Sequence, residues 1–249
     1  MYCLIVQKFI GKGISMIPKV AAELDPTGRM DFWPNQEQKL ESVHSPEAFD
    51  MIQSHLSLVL GDRVVGPLNS IMQISKFNLG NLYAASIIYG YFLRCVDQRF
   101  QLERSMNTLP KNFMSEEHVK LGEPSPLNQH WGPASVIPPD NSDGRGLADS
   151  GKSYQLRSYV MCLDADTLQK YATIRSPEAI SLIEKQTLAL FGSPDIRNSE
   201  DASLDTSDGD ITSLTFSGLK MLVLEAVAFG SFLWDAEGYV ESKYHFINS

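Results

Sequence analysis

Apolar and polar positions along the chain fall into two matching series. Ser45-Pro46-Glu47-Ala48 returns as Ser176-Pro177-Glu178-Ala179. After the first, Phe49, Ile52, Leu56 and Val59 recur at helical spacing; after the second, Ile180, Ile183, Thr187 and Leu190 hold the same places. Serine at an N-cap, proline at N1 and an acid in the first turn all favour a helix start. Both segments then stop at a glycine, Gly61 and Gly192, as a left-handed C′ residue requires. The pattern predicts one helix in each series.

A second element follows in the same order. Ile71, Leu79, Leu82, Gly90, Phe92 and Leu93 align with Ile211, Leu219, Leu222, Gly230, Phe232 and Leu233, with a longer connection in the second series. Alternating residues predict short strands at 70–75 and 210–216. Ser75 or Asn78, and Thr215 or Ser217, are the candidate caps of long helices at 79–103 and 219–241. Leu82, Tyr83, Ile87, Ile88, Tyr91 and Phe92 cover most of the first helix's circumference, and a helix of that kind must be buried. The expected fold is therefore α+β and mostly helical, an internal duplication of a helix–short strand–long helix unit. The copies are expected to pack about a pseudo-twofold axis, with Gly90 and Gly230 permitting a close helix crossing. The units span 21–107 and 154–249 and pack as one domain. Residues 1–20 form a segment of uncertain role, and 108–153 a linker.

That linker holds six of the thirteen prolines, and 140–153 adds Gly, Ser and Asp without an apolar period. A second polar stretch, 193–210, carries six acids against Arg197 alone. Ser207, followed by Asp208 and Asp210, has the acidic context of a kinase site, though a solvated loop explains the same residues.

Composition narrows the partners. The chain has 249 residues, 43% hydrophobic and 20% charged, with a net charge of -9. This is enough apolar material for a core. The acidic balance argues against nucleic acid and against anionic membrane surfaces, both of which need clustered Lys and Arg. The uncharged run 77–93 falls short of the roughly 20 apolar residues of a membrane span. Cys3, Cys95 and Cys162, odd in number and far apart, suit reduced thiols. Residues 1–22 carry Lys8, Lys12 and Lys19 and no acid, but with only Ser15 and no Arg they are a poor fit to a transit peptide, and the apolar start without a preceding basic segment is a poor fit to a secretory signal.

Candidate chemistry is sparse. Residues 146–153, Gly-Leu-Ala-Asp-Ser-Gly-Lys-Ser, satisfy the phosphate-loop pattern, in which Lys152 would reach the outer phosphates and Ser153 would hold magnesium. A true site needs a buried strand leading in, whereas Pro138-Pro139-Asp140-Asn141 stands upstream. The run Val160-Met161-Cys162-Leu163-Asp164 has the look of a strand ending in a magnesium-binding acid, yet it follows too closely. His44, His55, His118, His130 and His245 show no metal-ligand spacing, Glu116-Glu117-His118 reads as a solvated turn, and no nucleophile elbow is present. Arg94, Asp97, Arg99, Glu103 and Arg104 suggest a solvated helix end, with Arg99 and Glu103 as an i,i+4 pair. Glu225 sits in an apolar run with Met221, Leu222, Ala228 and Phe229 on its face, and is expected either paired in the interior or at a groove or subunit contact. No catalytic, cofactor-binding or metal residues are assigned.

Two long stretches carry a family resemblance. Asn81-Leu82-Tyr83-Ala84-Ala85-Ser86-Ile87-Ile88-Tyr89-Gly90-Tyr91-Phe92-Leu93-Arg94, continuing through Asp97-Gln98-Arg99-Phe100-Gln101-Leu102-Glu103, resembles the signature helix of an uncharacterised family of plants and cyanobacteria. The C-terminal third, from Leu156-Arg157-Ser158-Tyr159 through Glu225-Ala226-Val227-Ala228-Phe229-Gly230 to Tyr244-His245-Phe246, resembles the plant chloroplast UV-B-induced, seed-maturation-like proteins. The resemblance covers about residues 20–249. It implies a plastid protein, most simply stromal, tied to light or stress responses, with no reaction or catalytic residue to carry over.

The leading expectation is a soluble, non-enzymatic regulatory or scaffolding protein acting through an unidentified protein partner, with self-association compatible. The alternative is a small-molecule site in the cleft between halves, using Glu225, Cys95 or Tyr91. Nucleotide binding at 146–153 comes third.

Overall fold

Serine caps and glycine stops shape the two short helices as the sequence predicts. The computed structural model describes residues 1–17, 34–61, 69–109, 150–192 and 211–245. Within them α3 (Pro46–Leu60) and α7 (Pro177–Phe191) each run for 15 residues. The Ser45 hydroxyl accepts from the Ala48 N–H at 3.1 Å, and Ser176 from Ala179 at 3.3 Å. Gly61 and Gly192 end them at φ +64° and +84°, backbone that side-chain-bearing residues rarely adopt.

Two strands, β1 (Ile71–Ser75) and β2 (Ile211–Thr215), pair antiparallel as a ribbon. The register is reciprocal: Ile71 faces Thr215, Ser75 faces Ile211, and Gln73 faces Ser213 at the centre. Each strand turns straight into a 30-residue helix, α4 (Lys76–Ser105) and α8 (Phe216–His245). These begin earlier than the apolar pattern indicates, because the strand's last residue is itself the cap. Ser75 accepts from the Asn78 N–H at 3.2 Å, and Thr215 from Gly218 at 3.0 Å.

Helices α4 and α8 cross at the two glycines. A Cβ on Gly90 would overlap the Val227 carbonyl, and one on Gly230 would overlap the Ile87 carbonyl. This is the close crossing expected from sequence, and it is reciprocal like the ribbon. Ser231 fastens it, donating to the Gly90 carbonyl at 3.2 Å and to Val227 at 3.1 Å. Around the crossing the core is α4's Tyr83, Ile87, Tyr91 and Leu93 with α8's Leu222, Val223, Val227 and Phe229. Not every apolar position goes inside: Ile88 and Ile180 stay exposed. One helix among the described residues, Phe216–Lys243, is long and apolar enough to cross a membrane, but 89% of its most apolar window is buried inside the fold. Here its hydrophobicity serves the core.

The remaining helices wrap this pair. The N-terminal α1 (Tyr2–Gly11) buries Ile5 and Phe9, with the Phe9 ring edge-on to Phe232 at 5.0 Å, so the segment of uncertain role forms part of the core. A short α2 (Glu37–Glu41) buries Leu40 and pins Glu37 to Lys220. Helix α5 (Ser150–Cys162) begins inside the expected linker, and α6 (Ala165–Ala172) follows it. The run 160–164 is therefore no strand. Val160 to Cys162 close α5, and Asp164 caps α6, accepting from the Thr167 N–H at 2.9 Å. Ser207 and the acidic stretch 193–210 lie outside the described residues.

Candidate functional site

Glu225 lies where α8 meets α4, 2% exposed in an apolar setting. Its carboxylate accepts one hydrogen bond, from the Tyr83 hydroxyl at 2.8 Å, and Oε1 has no partner among the described residues. Burial pushes the carboxyl up to about 7, against the opposing effect of the Tyr83 hydrogen bond. Burial, and then the Glu225 charge, push Tyr83 well above the usual phenol range. Of the readings open for Glu225, the interior one holds.

Tyr91 belongs to a second buried group, which is fully connected. Its hydroxyl donates to Glu237 of α8 and accepts from Arg175 Nε at 3.3 Å. Glu237 also takes the Ser176 N–H at 2.9 Å, the Ser176 hydroxyl at 2.5 Å and Arg175 Nε at 3.2 Å. The Arg175 guanidinium lies 4.2 Å over the Trp234 ring and reaches Glu241 at 2.7 Å. Every strong group here satisfies another, so the cluster acts as a latch holding the N-terminus of α7 on α8. The first unit has the matching contact, Ser45 to Asp97 at 2.9 Å, with Gln101 to Asp97 at 3.1 Å. Asp97, 4% exposed, therefore does not belong to the solvated helix end. The Arg99–Glu103 pair does form there, at 2.5 Å.

Cys95 is buried, and that burial pushes its thiol up to about 11, so it is protonated and poorly nucleophilic at neutral pH. Cys3 and Cys162 are exposed, and all three cysteines are free. His55 stacks on Tyr89 with ring centroids 4.4 Å apart, and burial lowers its pKa. Among the described residues no group of three or more His, Cys, Asp and Glu could hold a metal ion. Of the phosphate-loop match, 146–149 lie outside the described residues and 150–153 form the first turn of α5.

The structure thus leaves Glu225, Cys95 and Tyr91 in the interior and opens a groove between halves elsewhere. The start of α4 and the end of α7 border a cavity of about 310 Å³, lined by Phe77, Gly80, Ala84, Thr187, Leu188 and Phe191 and flanked by Lys76 and Glu184. Phe77 is 56% and Leu188 45% exposed. Sequence reasoning places Asp97 on a solvated helix end and does not single out Arg175 or Glu237. Extending the alignment of the two series seven residues past Gly90 and Gly230 brings Asp97 opposite Glu237, which is the signal that marks them.

Residues 31–106 match the family described as protein of unknown function (DUF760). The chain is 47% identical over 252 residues to a UV-B-induced chloroplastic protein of Arabidopsis thaliana, covering 99% of this chain and 59% of that protein. It therefore spans a little over half of that relative's length. No solved structure matches significantly. The name agrees with the plastid placement expected above, and the match runs over nearly the whole chain rather than one motif, so the chain is similar to a UV-B-induced chloroplastic protein.

Proposed function

We propose that this chain is a non-enzymatic protein of the chloroplast stroma that serves light or stress responses by holding a protein partner, in a regulatory or scaffolding role. The observation that carries the reading is the α4–α7 groove. Large apolar side chains, Phe77 and Leu188, face water there beside Lys76 and Glu184, the layout that receives one apolar helix face. The groove joins the first unit to the second, so an occupant would report on their packing. The reciprocal register of strands and glycines supports reading those units as copies of one.

Capture from stromal extract with the wild-type chain and with Leu188→Glu tests the proposal. The wild type should retain proteins that the variant loses under at least one light regime. The same retained set for both, under every regime, would contradict it.

A small-molecule reading rests on the same groove, since about 310 Å³ is at the lower end of ligand cavities, about 300–1,000 Å³. A metabolite whose thermal stabilisation disappears in Leu188→Glu would favour it; one lost in Glu225→Gln would move the site to the interior. ATP or GTP binding abolished by Lys152→Ala would revive the nucleotide reading.

A further inference from the structure

Three bases of this acidic chain line one cavity. At the C-terminal end of α1, a cavity of about 330 Å³ opens between α1, α4, α8 and the turn after α2. Lys8, Lys12 and Arg94 line it, with Asp235 as the sole acid in the lining. Lys8 and Arg94 both bind that carboxylate, at 2.7 and 3.1 Å, so a single negative charge holds two cations in place. Lys12 makes only a long contact, 3.4 Å to the Ser42 carbonyl. The Lys8, Phe9 and Ile10 carbonyls near the end of α1 accept from the N–H groups of Lys12, Gly13 and Ile14.

The surroundings register this positive field. His44, beside the cavity, is held neutral, its pKa lowered to about 4 by burial and then by Arg94 and Lys12. Its Nε2 is buried without a hydrogen-bond partner among the described residues. Phe232 and Val43 form an apolar wall, with Lys8 Nζ 5.6 Å over the Phe232 ring. Three cations against one carboxylate leave the lining with two positive charges in excess beside one apolar wall, which suits a compact dianion carrying a few carbons.

We propose that this cavity binds a small phosphate-bearing metabolite, with Lys12 and Arg94 on the phosphate and the Phe232 wall against its carbon part. The site is separate from the α4–α7 groove, so it stands or falls independently of the partner reading.

Thermal unfolding of the whole chain, at constant ionic strength set with chloride, supplies the test, with inorganic phosphate and glycerol 3-phosphate as probes. In the wild type both should raise the midpoint saturably, glycerol 3-phosphate at lower concentration. Lys12→Gln, at an exposed position, should weaken both apparent affinities at least tenfold. Gly11→Asp, where a Cβ meets nothing within 4 Å, should abolish the effect while leaving the unliganded midpoint close to wild type. Absence of a phosphate-specific rise, or an equal rise in both variants, overturns the proposal. So does Lys12-dependent binding to phosphatidylglycerol vesicles without any response to the free phosphates.

Discussion

Gly90 and Gly230 each lie against the other helix's backbone, Gly90 on the carbonyl of Val227 and Gly230 on the carbonyl of Ile87. Neither position has room for a methyl group, and the obstacle is main chain rather than a side chain that could turn aside. The contact is reciprocal, as is the strand register beneath it. Close backbone approach maximises dispersion contact between two 30-residue helices and lets Ser231 hydrogen-bond across the seam.

Replacing either glycine by alanine should cost about 3 kcal/mol or more, the upper range of overpacking, because a backbone must shift. Gly80 on the same helix is the control. Its Cβ would meet Thr187 Cγ2 at 3.4 Å, an ordinary contact, so Gly80→Ala should be neutral or gain up to about 1 kcal/mol from helix propensity. Urea unfolding at pH 7 measures all three, and a neutral Gly90→Ala would remove the crossing.

Glu237 should matter more than its exposure to any chemistry would suggest. Glu237→Ala strips acceptors from Ser176, Tyr91 and Arg175 together, for an expected loss of about 3 kcal/mol. It should also change Trp234 fluorescence, since Arg175 then loses its anchor over the indole. Ser45→Ala, which removes an N-cap and one donor to Asp97, should cost about 1 kcal/mol. Equal effects of the two substitutions would mean that the buried network adds nothing beyond capping.

Glu225 predicts a pH dependence with a definite sign. In the unfolded chain its carboxyl titrates near its ordinary value of 4.5, and in the fold burial pushes it up to about 7. Between those values the folded state holds a proton the unfolded state lacks, so the contribution of this group is present in full below the lower value. It is lost as pH rises through the upper one. Relative to wild type, Glu225→Gln should gain stability at about 1.4 kcal/mol per pH unit through that window and then level off. A wild-type-minus-variant difference that stays flat from about pH 5 to 8 would place the carboxyl elsewhere.

Thiol labelling of the native chain at about pH 8 should show two classes, since exposed thiols react readily and buried, protonated ones slowly. Cys3 and Cys162, exposed, should react fast, and Cys95, buried and pushed up to about 11, slowly. Three equal rates would contradict the packing around α4.

What could be read from the chain was what neighbouring residues decide. Ser45, Ser176, Gly61 and Gly192 act within one turn of their own helix, and Ser75 and Thr215 cap the helix they touch. The glycine crossing could also be read, because a repeated glycine inside two apolar helices has few other uses. Asp97 reads as solvated from its neighbours alone, because the partner that gives a reason for its burial, Ser45, is distant in sequence. The N-terminal helix is hard to read because a basic leader-like stretch masks Ile5 and Phe9, whose i,i+4 spacing is the core-facing signal. For Glu225 the sequence leaves two readings open. Whether a carboxyl in an apolar run faces inward depends on what the other helix presents, and Tyr83 settles that only in three dimensions.

Native-state hydrogen exchange tests the joint core most directly. Amides flanking Gly90 in α4 and Gly230 in α8 should exchange only through global unfolding, at one common free energy, and Gly90→Ala should lower both by the same amount. If either helix opens by itself at a lower free energy, with the other still protected, the two units do not share a core and the account fails.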